Sequence, residues 1–408
     1  GGVEKDVLYI SKFLNIVLND RAYSLPMRDP KVYVTFDQAL SFCRNKGKGW
    51  SLNPYSLWSA IALWCRKNGT MPRGNNFWGK DYTYQHEKGV PCAWESKEAE
   101  SHPGEPVRCL TGSGPATWYH NWMPDGIADL NGNVWEWCAG MRVKNGEIQI
   151  IPYANSMLAE TNMGDKSTEW KAIKKDGTLV EPGTADTLKW DWVSGKIQLT
   201  SGAVSYKTDQ GNGCQYKDMT LNSSVSAAPE IAKALLLYPD EPGGDYGSDY
   251  HWVNTVGERL PFCGGRWYAG ANAGVFNVNL NNPRSNSNSN VGFRSALPSK
   301  SDASYLPGML PAPRCKGSYF RAIVAKNKGI IFGGFLWAWN ADSSECANYA
   351  MLQGDNMSIK NVFDAISSFD NILTAEQDVR AGGRYDQEEL TFWGGYEDNL
   401  HEIAERVQ

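Results

Sequence analysis

The sequence predicts an α+β fold with much irregular structure, on three observations. Two short amphipathic helix patterns with clear start signals lie near the N-terminus. Beyond them the strand signals are brief and are separated by Gly, Asp and Lys turns. The 41 Gly and 20 Pro among 408 residues speak for many turns rather than long regular elements.

Taken in order, residues 1–30 read as a lead-in. Val7, Leu8, Ile10, Phe13, Leu14, Val17 and Leu18 fall at the spacing of an amphipathic helix, which Pro26 and Pro30 end. Residues 32–34 read as a short strand running into the first capped helix. There Thr35 and Gln38 form a T-x-x-Q capping box, Phe36, Ala39, Leu40 and Cys43 line one face, and Gly47 stops the helix. For the second helix, Asn53 is the expected N-cap and Pro54 the first helical residue. Leu57, Trp58, Ile61, Leu63, Trp64 and Cys65 give it a wide apolar face before Asn68-Gly69. That face is core.

Residues 70–125 are rich in Gly, Pro and aromatics without sustained periodicity, so they are expected to be irregular but packed. Strand signals at 147–151 and Lys196–Thr200 make residues from about 141 to 250 an insertion or an elaborated middle of the same domain. A Pro-rich segment, 298–313, reads as a linker. Strand-like stretches at 319–324 and 329–339, a helix capped by Ser358 and a last helix at 396–407 then make residues 299–408 a small α+β domain or extension.

Composition excludes several function classes. A net charge of -5 with no basic stripe argues against a nucleic-acid or anionic-membrane partner. The longest apolar runs, 60–65 and 330–339, are too short to span a bilayer. Nine Cys at wide spacing, an odd count without C-x-x-C, read as buried thiols of a protein made in a reducing cytoplasm. No signal peptide is read at the N-terminus. His86, His102, His120, His251 and His401 are scattered, and residues 401–405 read H-E-I-A-E rather than H-E-x-x-H. Neither a G-x-S-x-G, a P-loop nor a G-x-G-x-x-G occurs. The chain is therefore expected not to be an enzyme.

Two stretches remain. Residues 125–137, D-G-I-A-D-L-N-G-N-V-W-E-W, carry Asp, Asn and Gly at the short spacing of oxygen-donor calcium loops, although not in EF-hand order. The plainer alternative is a tight turn entering a strand with buried tryptophans. Residues 264–295 begin with a Gly-Gly-x-Trp turn, pass through an Asn/Ser-rich run containing Trp267, Tyr268 and Phe276, and end in Val-Gly-Phe-Arg-Ser. Such a run is either a polar surface loop or a binding surface. In a binding surface, rigid aromatics give contact area and Ser, Gly and Asn give adaptable hydrogen bonds.

The order of these landmarks resembles the C-type-lectin-like fold of the formylglycine-generating-enzyme group, with its "GNVWEW" and "GGSW…GFR" signatures. Residues 271–297 look like the variable region of target proteins of diversity-generating retroelements, which include phage receptor-binding proteins and cell-surface ligand binders. The resemblance covers roughly residues 31–298, with a variable region at 264–297. It implies that adenine-directed mutagenesis diversifies codons there, with Arg266, Tyr268 and Ala269 as the best-fitting positions and Ala271, Asn272, Phe276, Asn277 and Asn279 behind them. Trp267, Gly270, Gly274, Val291, Gly292 and Phe293 then serve as scaffold, with Trp267 an anchor only if exposed. The resemblance also places calcium ligands at Asn133, the Val134 carbonyl and Glu136, as a structural ion and not a required cofactor.

Two departures from the group matter. Residues 299–408 follow a variable region that usually lies near the C-terminus. The oxidising enzymes of the fold use a cysteine pair where this chain has no Cys between Cys263 and Cys315, so thiolate chemistry is not expected. The expected function is therefore recognition of a protein or glycan ligand on a target cell. The protein would act from a phage virion or cell surface, possible as a homo-oligomer and without membrane insertion. The alternatives are a non-oxidase enzyme of the same fold and a structural virion component.

Overall fold

Both expected helices form, and the first is capped as its sequence reads. In α1 (Phe36–Arg44) the Thr35 hydroxyl accepts from the Gln38 N–H at 3.2 Å, while the Gln38 side chain accepts from the Thr35 N–H at 3.0 Å. In α2 (Tyr55–Asn68) the cap lies one residue later than expected: Pro54 holds the N-cap position without a side-chain bond. Asn53 is instead buried beside it, tied through its backbone to Arg294 and Ala139. Gly69 ends α2 in the left-handed region at φ 67°, as a helix C-terminus favours. Most of the apolar face of α2 is core, but Trp64 turns partly to solvent against His120.

The computed structural model describes residues 8–298 and the backbone pair 331–332, all in one of two compact units into which the chain divides. Pro298, read as the start of the linker, ends the strand Ser295–Pro298; the rest of the linker, 299–313, the strand at 319–324 and the helices at 358–373 and 396–407 lie outside the described residues, as does Val7. Of the expected strand at 329–339, only the pair Ile331–Phe332 is described.

The lead-in helix does not form. Its residues make β1 (Leu8–Ile10) and the hairpin of β2 (Asn15–Leu18) with β3 (Arg21–Ser24). Asn19 and Asp20, both at positive φ, supply the two-residue turn that such a hairpin requires. β1 joins a small sheet in the order Ile331–Phe332, β1, Ser295–Pro298 and Ser51–Leu52. Pairing across the chain at β1, and the local hairpin at β2 and β3, have overridden a helical period. Residues 32–34 are not a strand either: Tyr33 is at φ 56° and gives its N–H to the Asn288 carbonyl.

Continuing the numbering, β4 is Ser51–Leu52, β5 Trp135–Trp137, β6 Met141–Lys144, β7 Glu147–Ile150, β8 Lys171–Ile173, β9 Leu179–Val180, β10 Lys189–Val193 and β11 Lys196–Thr200. The remaining strands are β12 Asn212–Gln215, β13 Thr220–Leu221, β14 Tyr250–Val253, β15 Glu258–Gly264, β16 Gly274–Asn282, β17 Val291–Phe293 and β18 Ser295–Pro298. The large mixed sheet runs β12-β14-β16-β15-β6-β7-β10-β11-β13, with β5 bridging β15 to β17 and β8-β9 paired off β7. The 141–250 segment is thus continuous with this sheet through the pairing of β6 with β15. The architecture is α+β, with few helices on a large mixed sheet.

Two apolar clusters fill the interior. α2 packs over β16, with Trp58 also against Gly264 of β15, and the Trp58 indole donates to the Val275 carbonyl at 2.8 Å. α1 packs with Trp135, Trp137, Phe262 and Phe293, where the Trp137 indole donates to the Val34 carbonyl at 3.0 Å. Buried indoles need such partners.

Candidate functional site

The two sequence landmarks meet. β17 lies parallel to β5 in the register Val291↔Trp135, Gly292↔Glu136 and Phe293↔Trp137. The Arg of Val-Gly-Phe-Arg then reaches the Glu of Val-Trp-Glu-Trp: Arg294 bonds both Glu136 oxygens at 2.5 and 2.7 Å. The remaining Arg294 donors go to the carbonyls of Ser11, Lys12 and Ala128. Both side chains are buried. A paired charge of this kind holds a join, and removing either partner strands the other in low dielectric. Burial pushes the Glu136 pKa up more strongly than Arg294 pulls it down.

This join bears on the expected calcium ligands. Glu136 gives both oxygens to Arg294. Asn133 Oδ1 accepts from the Cys109 N–H at 2.9 Å and from Asn75 Nδ2 at 3.1 Å, and its amide donates to the Cys109 carbonyl. The side-chain oxygens at 133 and 136 are therefore engaged by protein donors and, in this arrangement, do not fit a calcium ion. Residues 131–137 form the turn into β5, with Trp135 and Trp137 buried.

That turn holds the second landmark in place. The Gly132 N–H donates to the Gly264 carbonyl at 2.9 Å and the Trp267 N–H to the Asn133 carbonyl at 3.1 Å. From the segment before it, the Trp78 N–H donates to the Trp267 carbonyl at 2.7 Å, and the Gly270 N–H to the Asn76 carbonyl at 2.9 Å. Gly265 stands at φ 93°, where a Cβ would meet that of Ala273 at 2.5 Å, so only glycine makes this turn.

The expected contact residues divide into two sets. Arg266, Tyr268, Ala269, Ala271 and Asn272 lie on the turn between β15 and β16; Tyr268 is 42% exposed, Ala271 is exposed and the other three are partly so. Phe276 and Asn277, in contrast, are both 0% exposed, which removes them from any contact surface. Phe276 packs on Tyr216 and Tyr246 with ring centroids at 5.5 and 5.0 Å. Its N–H donates to Asp249 Oδ2 at 2.8 Å. Asn277 donates to the Asn272 carbonyl at 2.6 Å and so fixes the end of the turn from inside. Asn279 is partly buried, with its Oδ1 accepting from the Asn281 N–H and the Asn282 amide.

The polar look of N-A-G-V-F-N-V-N-L-N-N hides a strand, β16, whose first five residues are buried. Its entry needs Gly274, because a Cβ there would lie 2.2 Å from both Asp249 oxygens. Trp267 is 5% exposed and packs with Leu14, Val32, Trp78, Val107 and Val134. It is scaffold, not anchor.

Neither a family model nor a curated protein matches this chain.

Sequence reasoning missed the residues around the turn. Trp78 stacks on Tyr268 at 5.9 Å and on the exposed His102 at 4.3 Å. Tyr82, exposed, lies against Gly270, and Phe77 packs edge-on to Tyr82 and His102. The Arg266 guanidinium lies over the Tyr268 ring, 4.0 Å from its centroid, and Asn290 donates to the Tyr268 hydroxyl at 3.2 Å. The signal available was the density of aromatics in 77–84; their meeting with 266–272 is a long-range contact that no local pattern encodes. Among the described residues no group of three or more His, Cys, Asp or Glu is placed to hold a metal ion.

Proposed function

We infer that the turn at 266–272 is a ligand-binding surface, carried by a C-type-lectin-like scaffold and diversified by a retroelement. Its role would be recognition of a receptor by a phage or of a ligand at a cell surface. The observation that carries this reading is how the turn is fastened. Its ties to 76–78 and 133 run between backbone groups, and Trp267 is its buried side chain. The side chains of Arg266, Tyr268, Ala269 and Ala271 are thus free to change without a cost to the core, as a surface selected for variable contacts requires. Rigid aromatics beside small and amide residues are the composition of adaptable paratopes.

The test is joint replacement of Arg266, Tyr268, Ala269 and Ala271. A melting temperature within a few degrees of the parent, together with loss of attachment to target cells, supports the reading. Unfolding, or attachment that is unchanged, contradicts it.

A further inference from the structure

One charge at this surface has no counterpart. Arg266 is partly buried, its Nε is enclosed without an acceptor, and no carboxylate pairs with it among the described residues. Three other arginines at the two landmarks are paired: Arg108 with Asp29, Arg284 with Glu258 and Asp37, and the buried Arg294 with Glu136. Burial pulls the Arg266 pKa down, and the Tyr268 phenol is the group that counters it. A guanidinium stays charged in proteins, and this one is held in place by packing on an aromatic face.

Its immediate neighbours are aromatic and hydrogen-bonding. Tyr268 and His102 present exposed rings on either flank of the Trp78 stack. Beyond Tyr268 runs the Ser/Asn segment, in which Ser285, Ser287 and Asn288 are exposed and Asn290 bonds the Tyr268 hydroxyl. A flat aromatic face suits the C–H face of a sugar ring, a rim of hydroxyls and amides suits its hydroxyl groups, and a single forked cation suits one carboxylate. Lys80 is a second cation at the edge of this surface, its ammonium 5.5 Å from the centroid of the Phe77 ring, so an acidic peptide is the competing ligand that the experiment must separate from a saccharide.

We propose that Arg266, with Tyr268 and His102 beside it, selects an acidic saccharide, one bearing a uronate or sialate carboxylate, as the ligand of this surface. The proposal rests on the reading of 266–272 as a binding surface and narrows it to a chemical class.

The experiment is binding of the full chain to immobilised oligosaccharides carrying glucuronate or sialate, to their neutral counterparts and to Glu-rich peptides. It is repeated with Arg266→Gln and Tyr268→Ala, at low and high salt, with melting curves confirming that each variant folds. The expected result is preference for the acidic saccharides, weakened at least tenfold by Arg266→Gln and by high salt, and lost in Tyr268→Ala. Neutral sugars bound equally well and untouched by Arg266→Gln overturn the acidic class; a Tyr268→Ala loss would then still uphold the surface. Preference for Glu-rich peptides overturns the saccharide, and so does a folded parent that binds no probe. Binding that survives both substitutions overturns the surface itself.

Discussion

Phe276 and Tyr268 lie eight positions apart in one polar-looking stretch, and the structure assigns them opposite roles that stability can separate. Phe276 is fully enclosed between Tyr216, Tyr246 and the strands around them. Truncating it to Ala removes an aromatic that buries on the order of 150–250 Å², or about 4–6 kcal/mol at 25 cal/mol per Å². Phe→Ala changes in cores cost about 3–5 kcal/mol, so about 4 kcal/mol is expected. Tyr268 keeps 42% of its surface in water and loses one hydrogen bond and a cation–π contact on truncation. Each is worth about 1 kcal/mol or less at an exposed site, so Tyr268→Ala should cost about 1 kcal/mol. Urea unfolding reads the difference. With an m-value of about 3 kcal/mol/M, Phe276→Ala lowers the midpoint by more than 1 M, and Tyr268→Ala by a few tenths. A Phe276→Ala shift no larger than that of Tyr268→Ala would refute the division of this stretch into core and surface.

Three further outcomes follow from the scaffold. Glu136→Gln or Arg294→Met each breaks the buried pair and should cost about 3–5 kcal/mol. The double variant should cost much less than the sum, and strict additivity in a double-mutant cycle would show that the pair does not join the two landmarks. Asp129, buried beside Arg294 and Glu136 and accepting the Gly112 N–H, is pushed by burial to about 6. The folded state therefore holds a proton at pH values where the unfolded chain has released it, so this stability is present below about pH 4 and lost as pH rises through about 6. Asp129→Asn keeps the acceptor and suits the left-handed backbone at φ 60°. Its stability relative to the parent should rise by about 2 kcal/mol between pH 4 and pH 7, and a flat difference across that range would contradict the assignment. Because the side-chain oxygens of Asn133 and Glu136 already have protein partners, the melting temperature should be the same in calcium and in chelator; a clear rise with calcium would show that these residues rearrange to bind it.

Much of the frame was legible because its signals are local. The capping box at Thr35 and Gln38, the end of α2 at Gly69 and the strands at 147–150 and 196–200 are all set by neighbours in sequence. The Gly-Asn-Val-Trp-Glu-Trp and Val-Gly-Phe-Arg segments were legible as landmarks, but their pairing as β5 and β17 and the ion pair that seals it were not. Most of the misreadings come from contacts distant in sequence. Residues 8–18 have a helical period, yet residues 8–10 are drawn into a strand by partners at 296–298 and residues 15–18 by a two-residue turn at Asn19-Asp20 whose hairpin signal was not read. Phe276 and Asn277 sit among exposed-looking asparagines yet enter a strand buried by residues 216, 246 and 249. Trp78, Tyr82 and His102 reach the turn only through the fold.

The most direct test of the central claim is sequencing of codons 264–297 in many sibling genomes, together with the neighbouring DNA. The account predicts substitutions at 266, 268, 269, 271 and 272, confined to adenine-template positions, with an unvaried near-copy of the stretch close by and with 267, 274, 276 and 277 constant. A stretch that does not vary and has no near-copy, or variation that falls on the buried positions, would contradict it.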